Sequence, residues 1–181
     1  MMVMVLGGSA SGKSEYAESL ALQLADSGAH YYVATMEAYG ESGAYRIQRH
    51  RALRNGKGFE TLEVPRNIID VMNFIEDGLQ KESTLLIEDL SNLLANEMFS
   101  DEGDASRIQK QILELQKRVQ NIVIVSTNIF DDGCDYDEST IRYIRFLGEL
   151  NQQIGAYCDN IIEVVAGIPI GLKKESYEKI D

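Results

Sequence analysis

Gly7-Gly8-Ser9-Ala10-Ser11-Gly12-Lys13-Ser14 follows the spacing G-x-x-x-x-G-K-[ST] without a gap. The chemistry of that spacing is phosphate binding. Glycines let the backbone curl until successive N–H groups point inward at an anion, and the helix that follows adds its positive N-terminal end. Lys13 offers a mobile cation for the terminal phosphates, and the Ser14 hydroxyl is a candidate Mg²⁺ ligand. The pattern carries weight only between a strand and a helix. Here an apolar run, Met2 to Leu6, precedes it, and a helical pattern begins near Lys13. Alone, the loop specifies a nucleoside triphosphate and nothing about what is done with it.

Two further groups could act with it. Glu88 and Asp89 close the apolar run Thr84-Leu85-Leu86-Ile87. Carboxylates at such a strand end can ligate Mg²⁺, directly or through water, or hold a nucleotide hydroxyl. They can also simply be an acidic pair at a helix N-terminus; the sequence leaves open which carboxylate does what. The second group lies between Arg46 and Lys57, which holds five basic residues, one histidine and no acid. On a helix Arg46, Arg49, His50 and Arg54 share one face. Neighbouring positive charge favours the neutral imidazole, whose free lone pair could attack phosphorus while arginines hold the phosphate oxygens. By residue physics alone, a solvated basic face with an incidental histidine is the commoner outcome. His30 has no such company and is read as structural.

These residues need a scaffold. Apolar runs at 2–6, 30–35, 84–87 and 122–126 read as strands, and 59–64 alternates as a short one. Helical patterns cover 13–26, 41–54, 66–80, 91–99, 104–119 and 138–157. The stretches 161–165 and 168–172 flank Gly167 as a terminal hairpin. Strands alternating with helices predict an α/β fold: an open, mostly parallel P-loop-type sheet flanked by helices. Ligands in such sheets bind at the carboxyl ends of the strands. Gly7 to Ser14, Thr35, Glu88-Asp89 and Asn128 all fall at that edge. Asp131, Asp132, Asp135, Asp137 and Glu138 crowd one stretch around Gly133, but fit no calcium-hand spacing, and are read as a solvated loop.

Composition narrows the classes. The 181 residues are 44% hydrophobic and 25% charged, as expected of one globular domain, taken here as 1–181. No apolar stretch approaches the ~20 residues that span a bilayer, and Met1 to Leu6 lacks the basic flank of a signal peptide. The formal charge of −12 argues against nucleic acid as a partner. Two cysteines without metal spacing, Cys134 and Cys158, fit reduced thiols in a cytoplasmic protein.

With these pieces in place, the chain resembles the bifunctional adenosylcobinamide kinase/adenosylcobinamide-phosphate guanylyltransferases of cobalamin biosynthesis. The phosphate loop is similar to the family's G-G-x-x-S-G-K-S, Arg46-Ile47-Gln48-Arg49-His50 to its R-I-x-x-H, and Leu86-Ile87-Glu88-Asp89-Leu90 to its acidic strand end. Tyr32-Val33-Ala34-Thr35, Ser126-Thr127-Asn128, Gly148-Glu149-Leu150-Asn151-Gln152 and Gly167-Ile168-Pro169 extend the likeness over nearly the whole chain. The resemblance implies phosphorylation of a corrinoid hydroxyl with ATP or GTP, then transfer of GMP from GTP through a covalent guanylyl-histidine. On these positions, His50 and Lys13 become the catalytic pair. Gly7 to Ser14, Thr35, Arg46, Arg49 and Glu88 form the nucleotide site, and Ser14, Glu88 and Asp89 the Mg²⁺ ligands. A homo-oligomer, specifically a trimer, is implied too. The chain departs from the pattern at Ala10 and Arg49, at Ile129-Phe130-Asp131-Asp132 and at Ile144-Arg145. Two rivals follow: a P-loop small-molecule kinase with another acceptor and no covalent step, and a nucleotide-binding regulator without turnover.

Overall fold

The computed structural model describes residues 1–25, 28–37, 58–128 and 135–174. Seven strands form one sheet: β1 (Met2–Leu6), β2 (His30–Ala34), β3 (Glu60–Glu63), β4 (Thr84–Glu88), β5 (Asn121–Val125), β6 (Asn160–Val165) and β7 (Ile168–Lys174). Their order is β3-β2-β4-β5-β1-β6-β7. All neighbours are parallel except β6 and β7. The interior strands are nearly unbroken apolar runs because helices cover both of their faces; β5 is buried along its whole length.

On one face lies α1 (Lys13–Ala25). Ala17, Ala21 and Ala25 recur every fourth residue and are all but fully buried. Their small side chains let the helix lie close over Val5, Leu86, Val123 and Val125, residues of β1, β4 and β5. The other face carries α2 (Leu90–Phe99), α3 (Ile108–Arg118) and α4 (Glu138–Gly155). Ile108, Ile112 and Leu115 of α3 and Leu147, Leu150 and Ile154 of α4 follow the helical repeat and join the larger core cluster. Asp137 caps α4, its Oδ1 accepting from Thr140 N at 2.9 Å. Thus one member of the acidic stretch is a helix cap, while 129–134 lie outside the described residues. Between β6 and β7, Ala166 and Gly167 both take positive φ, 51° and 80°, as a two-residue hairpin turn requires.

One expected helix is absent. Residues 66–80 hold a 3₁₀ segment, Ile68–Asn73, followed by turns, and Gln80–Glu82 forms another. Ile68, Val71 and Ile75 are buried, and the three-residue step from Ile68 to Val71 suits a 3₁₀ turn as well as an α-helix. Asn67 at φ 47° and Gly78 at φ 104° take the left-handed conformation, which no right-handed helix passes through. Asn67 is held there by its N–H donating to Glu97 Oε1 and its Oδ1 accepting from Gln111 Nε2, each at 2.6 Å. The helical pattern at 41–54 lies outside the described residues. Within those residues, no helix is long and apolar enough to cross a membrane. His30 is structural as read: it starts β2, its Nδ1 lies 3.2 Å from Gly28 O, and its ring packs edge-on against Phe59. Cys158 is buried, which pushes its thiol up to about 12.

Candidate active site

The loop between β1 and α1 closes on itself. Ser11 N donates to Gly8 O at 3.3 Å and Tyr16 N to Gly12 O at 3.0 Å. Ala10 and Gly12 take φ of 56° and 90°, so the chain reverses at alternate residues. Gly7 has a steric reason to be glycine: a Cβ there would stand 2.4 Å from Ser11 Oγ and 2.8 Å from Val164 O. Ser9 and Ala10 are exposed at the tip, and Lys13 Nζ reaches back to Gly8 O at 3.2 Å. The loop is braced from behind. Gly7 O accepts from Asn128 N and Thr127 Oγ1, at 3.2 and 3.3 Å, and Gly167 N of the hairpin turn donates to Ser11 O at 2.8 Å.

β5 separates β4 from β1 in the sheet, yet the end of β4 meets the loop because α1 crosses over both strands. Ser14, in the first turn of α1, donates its hydroxyl to Glu88 Oε1 at 2.7 Å. Glu88 Oε2 is closed off from solvent and has no partner among the described residues. Burial first, and the charge of Asp89 second, raise this carboxyl to about 7, against the opposing pull of the Ser14 bond and Lys13. A buried carboxylate oxygen without a donor, beside a serine hydroxyl, is a fitting place for a hard cation. No three His, Cys, Asp or Glu side chains gather among the described residues.

The two carboxylates divide their labour. Asp89 caps α2, its Oδ1 accepting from Asn92 N at 2.7 Å and Ser91 Oγ at 2.6 Å. Thr35 is fully buried. Its hydroxyl donates to Asp89 O at 2.8 Å, its N–H to Glu88 O at 3.1 Å, and its carbonyl accepts from Asn96 Nδ2. It therefore ties β2 to the acidic strand end. The structure thus brings Gly7 to Ser14, Glu88, Asp89, Thr35 and Asn128 to one sheet edge. Arg46, Arg49 and His50 lie outside the described residues. Sequence reasoning missed the bracing by the hairpin turn; its signal was Gly167 itself, between two apolar stretches.

The chain is similar to known proteins over nearly its whole length. A family model described as "Cobinamide kinase / cobinamide phosphate guanyltransferase" matches residues 3–172. The Pseudomonas aeruginosa bifunctional adenosylcobalamin biosynthesis protein CobP is 32% identical over 181 residues, covering 97% of this chain and 99% of that protein. The Escherichia coli protein CobU, of the same description, is 28% identical over 189 residues, covering 96% and 100%. In fold, the chain is similar to the ATPase domain of G40P, with a TM-score of 0.58, 13% identity and coverage of 97% of this chain and 77% of that one.

Proposed function

Because the chain belongs to the cobinamide kinase / cobinamide phosphate guanyltransferase family, we propose that it carries out both reactions in cobalamin biosynthesis, with residues 1–181 acting as one catalytic domain. In the first, a hydroxyl of the corrinoid acceptor attacks the γ-phosphorus of ATP or GTP, forming a phosphate ester and releasing the nucleoside diphosphate. In the second, His50 attacks the α-phosphorus of GTP. The bond to the β-phosphate oxygen breaks and pyrophosphate leaves. The corrinoid phosphate then takes GMP from the histidine, which regains a neutral imidazole.

The loop N–H groups orient the phosphates, and Lys13 draws off charge as it builds on the leaving oxygens. Ser14 and Glu88 would hold Mg²⁺, which supplies charge neutralisation between phosphate oxygens when bound. Asp89 and Thr35 position Glu88 through α2 and β2. Arg46 and Arg49, which precede His50 by four residues and by one in the sequence, would hold the transferred phosphate while the imidazole attacks.

The observation that carries the reading is the 2.7 Å contact between Ser14 Oγ and Glu88 beside an orphaned buried Oε2, in a chain of this family. The test is a product assay with adenosylcobinamide, GTP and Mg²⁺. Both the corrinoid phosphate and the GDP adduct should form. A phosphate without the adduct would favour a kinase lacking the covalent step; neither product would favour a regulator.

A further inference from the structure

A cleft of about 370 Å³ opens on the α4 face of the sheet, directly behind the phosphate loop. Leu6, Asn128, Asn151, Gln152, Glu163 and Leu172 line it. Leu6 is the residue before Gly7, and Asn128 donates its backbone N–H to Gly7 O, so the cleft shares a wall with the anion cradle. Two leucines give it aliphatic walls. Among the described residues its polar groups are three side-chain amides and one carboxylate, with no cation. Asn128 Nδ2 and Glu163 Oε1 pair at 3.3 Å. Asn151 is the informative member. Its Oδ1 accepts from Ser126 Oγ at 2.8 Å, while Nδ2 is shut off from solvent with no partner among the described residues. Turning the amide over would satisfy Nδ2 with Ser126 Oγ and orphan Oδ1 instead. Either way one end of a closed-in amide is left without a hydrogen bond, a loss that native proteins rarely leave uncompensated.

The lining says what would compensate it. The carboxylate among the described lining residues disfavours an anion. An uncharged amide, with a donor and an acceptor side by side, complements Asn151 in either orientation and finds further partners in Gln152, Asn128 and Glu163. We propose that this cleft, formed by Leu6, Asn128, Asn151, Gln152, Glu163 and Leu172, is the acceptor subsite and takes one amide-bearing arm of the corrinoid. This rests on the cobinamide reading above. A corrinoid periphery is rich in primary amides, and the volume suits a side arm and not a macrocycle. The wall shared with the phosphate loop would then keep the acceptor beside the triphosphate. Guanine presents a similar amide edge. The GTP arm of the test below separates the two.

The test measures binding of adenosylcobinamide by equilibrium dialysis, read by its visible absorbance, and of GTP by calorimetry. The proteins are the full-length parent, Asn151→Asp and Gln152→Ala. Aspartate keeps the acceptor for Ser126 Oγ but replaces the amide nitrogen with a charged oxygen. Gln152 is exposed, so its truncation leaves the core intact and decides the matter if Asn151→Asp fails to fold. At least tenfold weaker corrinoid binding, with GTP affinity changed less than twofold, is the expected result. Unchanged corrinoid binding in a folded variant would overturn the subsite alone. Weakened GTP binding with corrinoid binding intact would assign the cleft to the base and overturn it equally. If the parent itself retains no adenosylcobinamide, the acceptor assignment falls, and the subsite with it.

Discussion

Glu88→Gln should make the protein more stable at alkaline pH and leave it nearly unchanged below about pH 4.5. Burial and the neighbouring Asp89 charge lift the Glu88 carboxyl from 4.5 to about 7, so the folded state binds this proton more tightly than the unfolded chain. Below about pH 4.5 the group is neutral in both states and its ionisation costs nothing. As pH rises, the unfolded chain ionises first, and stability falls until the folded carboxyl also titrates near 7. At 1.36 kcal/mol per pH unit, the cost is about 1 kcal/mol at pH 5 and about 3 kcal/mol at pH 8. Glutamine keeps an acceptor for Ser14 Oγ and never ionises. Urea unfolding of parent and variant, without nucleotide and with a chelator present, should therefore show their difference widening by about 2 kcal/mol between pH 5 and pH 8. A difference that stays constant across that range would refute the idea that Glu88 is held charged at a cost. The same substitution should lower turnover at pH 8 despite the added stability, as expected where an active-site charge is kept for function.

Three other outcomes follow from the geometry. Lys13→Ala should lower turnover by roughly 10² or more, since a charged donor to the transferring phosphate is lost; steady-state phosphoryl transfer checks it. Gly7→Val would push a side chain against Ser11 Oγ and Val164 O, 2.4 and 2.8 Å from the Cβ position; titration calorimetry should show lost triphosphate binding while far-UV circular dichroism stays near the parent. Asp89→Ala removes the α2 cap at Asn92 N and should cost about 1 kcal/mol in urea unfolding.

Much of the site was legible in the sequence because its signals are local. The phosphate loop needs only its own eight residues, and interior parallel strands such as Ile122 to Val125 announce themselves as apolar runs. What could not be read depends on contacts made across the fold. Nothing in Glu88-Asp89 says which side chain turns to the head of α1 and which caps α2; the structure gives Glu88 to Ser14 and Asp89 to Asn92. The place of Thr35 at a strand end does not reveal that its hydroxyl donates to Asp89 O. The segment 66–80 misled because apolar spacings of three do not separate a 3₁₀ turn from an α-helix, and the left-handed Asn67 is fixed by Glu97 and Gln111, thirty or more residues away. The Asn151 cleft needs α4, the end of β1 and the hairpin brought together before it exists.

The covalent step through His50 is the claim on which the whole account turns. Incubating the protein with GTP radiolabelled at the α-phosphorus, then quenching and separating protein from nucleotide, tests it directly. The account predicts acid-labile label on the parent, none on His50→Ala, and release of that label to adenosylcobinamide phosphate. Absence of label on an active parent, or label undiminished in His50→Ala, would contradict it.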